Sequence, residues 1–353
     1  MMIFLRLLAA IIGILVVYGT LRSAIRTLLT PRSIRDPITS AVFIFVRRLF
    51  NIRLRWLRSY ASRDHWMAYY APVSLLVLLL TYLALVQLGF MFLLWASGVS
   101  SWGDAFTVSG SSLLTLGFAK GDTFLQTVLD FLAAAIGLIL VALVIAYLPT
   151  MYNAYSEREK AVTLLEVMAG KPPSAVTMLL RYYRNNGLEE LHQSWATWEE
   201  WFAYLEESHT ALAALVFFRS SRPEHSWVTA AGTILDAAAL SLSTIEMPFD
   251  AQAALCIRSG YLALRRIADI FLVPYKEYPH FPTDPISISR AEFDAAYDEL
   301  REAGMPLKDD RDQAWVDFAG WRVNYDRPLL ALSQLTMAPE TPWTADREPA
   351  SAG

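Results

Sequence analysis

Cysteine is almost absent: the 353 residues contain one, Cys256. A lone thiol excludes an intrachain disulfide framework and any cysteine-rich metal site, and its apolar, helix-like surroundings make it a buried inert side chain. Histidine is also sparse, and His192, His209, His225 and His280 lack zinc-like spacing. No Gly-x-Gly-x-x-Gly run follows a strand pattern, which excludes a Rossmann-type nucleotide site, and no nucleophile elbow is found. The run Glu206-Glu207-Ser208-His209 reads as a helix end. With no convergent catalytic set, neither an enzyme nor a cofactor is expected. Charge is scarce too, at 18% against 55% hydrophobic residues. A mean hydropathy of +0.33 is too high for an ordinary soluble protein.

The net charge of −4 hides an asymmetry. Arg22, Arg26, Arg32, Arg35, Arg47, Arg48, Arg53, Arg55, Arg58 and Arg63 face only Asp36 and Asp64 between the first two apolar runs. The positive-inside rule assigns that segment to the cytoplasm. Beyond Glu157 acidic residues prevail, as in a solvated domain for which nucleic acid is not an expected partner. Around the linker, Arg47, Arg48, Arg55 and Arg58 project to one helical face. Phe43, Phe45, Leu49, Phe50, Leu54, Trp56 and Leu57 project to the other, and Arg53 is the exception. This predicts a helix on anionic inner-leaflet lipids. The arginine spacing does not match a voltage sensor.

A helix needs about 20 mostly apolar residues to span a bilayer, and three stretches qualify: Ile3 to Tyr18, Val73 to Ala96 and Phe124 to Leu148. The first, short and carrying Arg6, has cleavage as a signal peptide for its alternative. Retention as a span with its N-terminus outside puts the arginines in the cytoplasm, and the chain then crosses out-to-in, in-to-out and out-to-in.

The segment from Ser97 to Asp122 therefore starts and ends outside, and its apolar, Ser-rich middle suits a loop that dips into the bilayer and returns. Irregular backbone is tolerated there only against protein or water. Its residues Trp102, Asp104, Ala105, Ser109, Thr115, Leu116, Gly117 and Phe118 resemble the pore region of two-transmembrane potassium channels. That family reads Trp-x-Asp-Ala, a short pore helix with an aromatic and Ser, then Thr-Val-Gly-Tyr-Gly-Asp. The resemblance covers roughly Val73 to Ala154.

The resemblance implies a pore helix bearing Trp102, Asp104, Ser109 and Ser112, and a selectivity filter of Thr115, Leu116, Gly117, Phe118 and Ala119. Carbonyls of such a filter, with the Thr115 hydroxyl, replace the hydration shell of a permeant potassium ion. Ala119 stands where the family has a second glycine. A left-handed Ala there would cost about 1–2 kcal/mol. In an alternative register Ala119-Lys120 is an insertion and Gly121-Asp122 the displaced Gly-Asp pair. Lys120, Gly121 and Asp122 form the outer mouth, with Asp104, Asp122 and Asp130 able to neutralise the lysine.

Asp130 reads either as a structural hydrogen-bond acceptor for the pore helix or Lys120, or as a cation site. Gly137 reads as a gating hinge or as a close-packing contact, and Ala142 and Ala146, with Ile139 and Leu143, as an apolar inner lining above Pro149. One chain supplies one loop, so closing a ring requires several copies, and the resemblance implies a homotetramer.

The expected fold is an all-α multi-pass protein of the cell (inner) membrane. Residues 1–20 form an N-terminal span, 21–70 the Arg-rich cytoplasmic linker, and 71–151 the pore domain. Within the pore domain the spans are 72–96 and 124–149, around a pore helix and filter at 102–122. Residues 152–337 form a helical cytoplasmic domain, and 338–353 a disordered tail. Helices are predicted at Glu157 to Met168 as an extension of the last span, at Ser174 to Asn185, Ser194 to Ser208, Ala211 to Phe218, Trp227 to Ser243, Gln252 to Phe271, Arg290 to Ala303 and Asp309 to Val323. Trp195, Trp198 and Trp201 should pack along one helix face. Tyr275 to Pro285 is a Pro-rich connector. The expected function is a passive cation channel; a non-conducting sensor or scaffold, whose helical domain binds a partner or ligand, is the alternative.

Overall fold

The structure, a computed structural model, describes residues 2–30, 36–57 and 59–344. Arg32, Arg35, Arg58 and the last nine residues of the expected tail lie outside them. Among the described residues the chain is helical without strands, apart from a single bridge between Ile245 and Leu307. It divides into two compact units, Met1–Arg58 with Trp66–Asn153, and Ser59–His65 with Ala154–Gly353.

In the first unit α1 (Met2–Leu28) is followed by α2 (Pro37–Leu54), a short α3 (Tyr60–Ala68) shared with the second unit, α4 (Tyr70–Ala96), α5 (Trp102–Leu113) and α6 (Phe124–Ala169). Three helical stretches are long and apolar enough to cross a membrane: Met2–Leu28, Tyr60–Ala96 and Phe124–Ala169. This agrees with the three expected spans and marks a membrane protein. α1 and α4 are antiparallel and cross at two glycines. A Cβ on Gly13 would fall 2.7 Å from the Gly89 carbonyl oxygen, and one on Gly89 2.5 Å from a Val17 methyl. Without a hydrophobic drive between helices in lipid, such close approach supplies the packing.

α1 outruns its predicted end and carries Arg22 and Arg26. The reason is a buried polar cluster. Ser23 donates to Asp36 Oδ2 at 2.5 Å and lies 3.0 Å from the Tyr82 hydroxyl, and Thr27 meets Thr39 at 2.7 Å. Asp36 also accepts the Thr39 amide at 3.0 Å, capping α2 just before a proline at its first position. The linker helix therefore exists, but its apolar residues do not share one face: Val42, Val46 and Leu54 are buried, whereas Phe45, Leu49 and Trp56 are exposed.

In the second unit α6 ends at Gly170, whose φ of +81° suits glycine alone. Next come α7 (Ala175–Arg184), α8 (Leu191–Ala211), α9 (Trp227–Thr244), α10 (Ala251–Ile270), α11 (Arg290–Glu302), α12 (Arg311–Arg322) and α13 (Asp326–Thr336). α9 is buried along nearly its whole length and forms the centre of the core. Trp195, Trp198 and Trp201 are buried in that core, as their spacing predicts, with Trp198 and Trp201 edge to face at 5.8 Å.

Three expectations change here. Ala213–Phe217 is a 3₁₀ turn rather than an α-helix. α13 was not foreseen, because Pro328 disguises it; proline is tolerated in a helix's first turn. Of the predicted tail, Thr341 and Thr344 are buried and the Trp343 carbonyl accepts from Arg322 Nη2 at 2.7 Å, so residues 338–344 belong to the domain.

Two buried arginines organise the unit. Arg322, fully buried, donates to Asp236 at 2.6 and 2.8 Å and to Asp326 at 2.8 Å, while the Tyr325 hydroxyl also reaches Asp236 at 2.8 Å. Burial opposes the guanidinium charge, but the two carboxylates outweigh it and hold its pKa above the ordinary value. Arg158, on the extension of α6, donates to the carbonyls of Leu215 at 3.1 Å and Phe218 at 2.7 Å, with His209 Nε2 3.4 Å away. His209 Nδ1 lies 2.9 Å from the Leu205 carbonyl, so Nδ1 carries the proton and Nε2 faces Arg158 as an acceptor.

Burial first, and the Arg158 charge second, push His209 well below its ordinary value of 6.5. The folded unit keeps this ring neutral, while the unfolded chain protonates it below 6.5. The corresponding stability is therefore complete above that pH and falls as pH drops, by up to about 1.4 kcal/mol per unit. Melting curves between pH 7 and pH 5 should show this decline, and His209→Gln should flatten it.

Candidate functional site

The loop between α4 and α6 is built from the short helix α5. Ser101 caps it, accepting the Asp104 amide at 3.0 Å, and Ser100 and Ser101 both donate to the Asp104 carboxylate at 2.7 Å. Trp102 stacks on Trp95 at 5.0 Å and meets Phe92 edge to face at 5.2 Å, fastening the start of α5 to the end of α4. Its other end reaches far back along both long helices. A Cβ on Gly110 would sit 2.9 Å from the Gln87 amide nitrogen, and one on Gly137 2.2 Å from the Leu113 carbonyl oxygen. Gln87 lies nine residues before the end of α4 and Gly137 thirteen after the start of α6. At 1.5 Å per residue, α5 thus ends about 14–20 Å along those helices. The loop folds back between the two helices.

Gly137 is accordingly a contact glycine in an unbroken helix. Ser109, predicted for the pore helix, is fully buried and bonds back to the Phe106 carbonyl at 3.0 Å. The residue that sequence reasoning passed over is Ser111. Its carbonyl accepts the Leu116 amide at 2.8 Å and the Gly117 amide at 3.4 Å, and its hydroxyl accepts the Ala119 amide at 3.0 Å. The Thr115 amide turns back to the Ser112 carbonyl at 3.0 Å. These bonds form a Schellman ending with Thr115 in the left-handed position at φ +56°. A serine one turn before the end of the short helix was the available signal.

The left-handed angles thus fall on Thr115 and on Gly117, at φ +73°. Ala119 is not among the left-handed residues, so the strain expected there does not arise. Thr115 carries it instead, at a cost of about 1–2 kcal/mol for a residue with a Cβ. While the amides of Thr115, Leu116, Gly117 and Ala119 all bond inward, the carbonyls of Thr115, Leu116, Gly117 and Phe118 accept no bond among the described residues. Leu116 and Phe118 are 60% and 69% exposed.

Beyond the loop, Gly121 does not line an outer mouth. It is buried under the start of α6, where a Cβ would lie 2.2 Å from Gln126 Cβ, and its amide donates to Asp130 Oδ2 at 2.7 Å. Asp130 is thereby a structural acceptor, bonded to Gly121 rather than to Lys120 or the pore helix; its Oδ1 is buried without a partner among the described residues. Gln126 accepts the Asp122 amide at 2.9 Å. Lys120 is exposed and makes no ion pair with Asp104, Asp122 or Asp130. Ala142 and Ala146 are exposed along α6, as is Ile139.

The second unit has a cleft of ≈ 300 Å³ lined by Ser174, Thr233, Glu292, Glu299 and Trp343. Among the described residues no cluster of His, Cys, Asp or Glu could hold a metal ion. No family model, no curated protein and no solved structure matches the chain.

The seating of α5 is directly testable. Gly137→Ala drives a methyl into the Leu113 carbonyl, and overpacking of this kind costs about 1–3 kcal/mol. The variant should melt lower in detergent and show faster amide exchange from Leu113 to Ala119. Ala134→Gly on the same helix should not reproduce the local exchange.

Proposed function

We propose that the chain is one subunit of a cation channel of the potassium-channel type, assembled as a homotetramer around the Thr115 to Phe118 segment. The observation that carries this reading is the polarity of that loop. Four successive carbonyls are left without donors among the described residues, while the amides of Thr115, Leu116, Gly117 and Ala119, which would repel a cation, are tied to Ser111 and Ser112. Backbone groups at membrane depth must be satisfied by protein, water or a bound ion. Copies of this loop around an axis supply a stack of carbonyl ligands to a dehydrated potassium ion.

Topology supports the same reading. The loop is held between two helices able to cross a membrane, and α6, with exposed Ile139, Ala142 and Ala146, offers an apolar lining. The linker arginines favour a cytoplasmic location for the second unit, in the cell membrane. A second reading, a non-conducting sensor, draws on the ≈ 300 Å³ cleft of that unit.

Flux from proteoliposomes under potassium, sodium and chloride gradients separates the two. The channel reading predicts cation flux from the wild type. It also predicts loss of flux in Gly117→Ala, with the oligomer retained on size exclusion, because a Cβ at φ +73° meets open space and costs only backbone strain of about 1–2 kcal/mol. Unchanged flux in that variant sinks the proposal; absence of flux from the wild type under every gradient favours the sensor. Lys120→Gln should raise cation current at low ionic strength, with the gain shrinking as salt screens the mouth.

A further inference from the structure

The cleft of ≈ 300 Å³ in the second unit is lined by three helices and by the segment after α13. On α11, Glu292, Ala295, Ala296 and Glu299 share one helical face and form one side of it. Thr233 and Asp236, one turn apart on α9, are its buried residues. Ala175 and Val176 at the start of α7, with Pro342 and Trp343, add apolar surface. No lining side chain is basic, and three are carboxylates.

Those carboxylates differ in how far they are satisfied. Glu292 Oε2 accepts the Ser289 amide and hydroxyl, both at 2.7 Å. Asp236, 1% exposed, accepts from Arg322 and Tyr325 at Oδ1, but Oδ2 accepts only from Arg322 Nη1, at 2.8 Å. A carboxylate oxygen has two lone pairs, so Oδ2 has room for a further donor. Among the described residues Arg322 is the sole ion-pair partner of both Asp236 and Asp326, and two carboxylates against one guanidinium leave that buried cluster a charge of −1. Burial pushes the Asp236 carboxyl above its ordinary value, against the pull of Arg322. Glu299 is exposed, and its side chain makes no hydrogen bond or ion pair among the described residues.

A buried negative charge beside a cavity calls for a cation. The carboxylates do not converge, since among the described residues no group of His, Cys, Asp or Glu could hold a metal ion. The positive charge therefore belongs to a larger body, for which the cleft supplies apolar surface. At about 30 Å³ for each water-sized group, the cavity takes about ten non-hydrogen atoms.

We propose that the cleft binds a small organic ammonium ion, with its charge answering Asp236 and Glu299 and its apolar body against Val176, Pro342 and Trp343. The site needs only the folded second unit and holds whether or not the loop conducts.

The test titrates the full chain in mild detergent with benzylammonium chloride, and in parallel with benzyl alcohol, by isothermal calorimetry. Ala295→Leu, at an exposed helical position on the cleft, fills the cavity and serves as the blank for probe taken up by detergent or by the loop. Above that blank the ammonium should bind, and the alcohol should bind about tenfold to a hundredfold more weakly, as expected when a hydrogen bond to a charged group loses its charge. Glu299→Gln should keep the melting temperature of the wild type, weaken the ammonium about threefold and leave the alcohol unchanged. Gly117→Ala should bind as the wild type does, which separates this site from the channel reading. The proposal is overturned if the ammonium does not bind above the blank, if the two probes bind equally, if Glu299→Gln leaves the ammonium affinity unchanged, or if Gly117→Ala abolishes binding.

Discussion

A peptide group carried away from water keeps both its donor and its acceptor, and the two need not be satisfied together. In the loop after α5 they are separated. Ser111 and Ser112 collect the amides of Thr115, Leu116, Gly117 and Ala119, and the carbonyls of Thr115, Leu116, Gly117 and Phe118 accept no bond among the described residues. The rest of the first unit follows from the need to hold that arrangement. Gly137 and Gly110 let α5 lie within contact of α6 and α4, Gly121 lets the returning chain pass beneath Gln126, and the Asp130 carboxylate takes the Gly121 amide. Thr115 bears the left-handed angle that ends α5 in the turn. Its strain is of the order that a packed surrounding can impose, about 1–3 kcal/mol.

Helix α6 is common to both units. Its apolar half flanks the loop, and its polar half, from Ala154, belongs to the second unit, where Arg158 is fully buried and tied to two carbonyls of the 3₁₀ turn. Pro149 interrupts its hydrogen bonding without ending it. Cleaving a hydrogen-bonded buried charge from its partners costs several kcal/mol, so Arg158 holds its turn of α6 firmly.

The spans, the short helix α5 and most of the domain helices were legible because each depends on a local rule: apolar length, a capping serine or aspartate, helical periodicity. What escaped the sequence depends on contacts distant in the chain. The extension of α1 rests on Ser23 meeting Asp36 and Tyr82. α13 and residues 338–344 are ordered by Arg322 and by burial against the core. The linker pattern counted apolar residues correctly but could not divide them between α4 and the exterior. In the loop, the sequence pattern placed the strain at Ala119. The backbone shows that the strained position is Thr115 and that Ser111 holds the amides, a fact invisible without knowing where α5 stops.

Unpaired polar atoms occur in both units, and their distribution is informative. In the second unit they are isolated, such as the indole nitrogens of Trp198 and Trp201 or the hydroxyls of Thr341 and Thr344, and each sits in a core otherwise closed by satisfied clusters like that of Arg322. Single orphans of that kind are compatible with a stable fold at a cost of about 1–3 kcal/mol each. In the loop, four consecutive carbonyls are open together, beside the bonded amides of Thr115, Leu116, Gly117 and Ala119. Turning the Thr115–Leu116 or Leu116–Gly117 peptide would break a bond to the Ser111 carbonyl, and turning Phe118–Ala119 would break one to the Ser111 hydroxyl, so those carbonyls are held open by the bonds of their amides. Under the proposed channel reading, a file of cations takes the place of donors at those four oxygens.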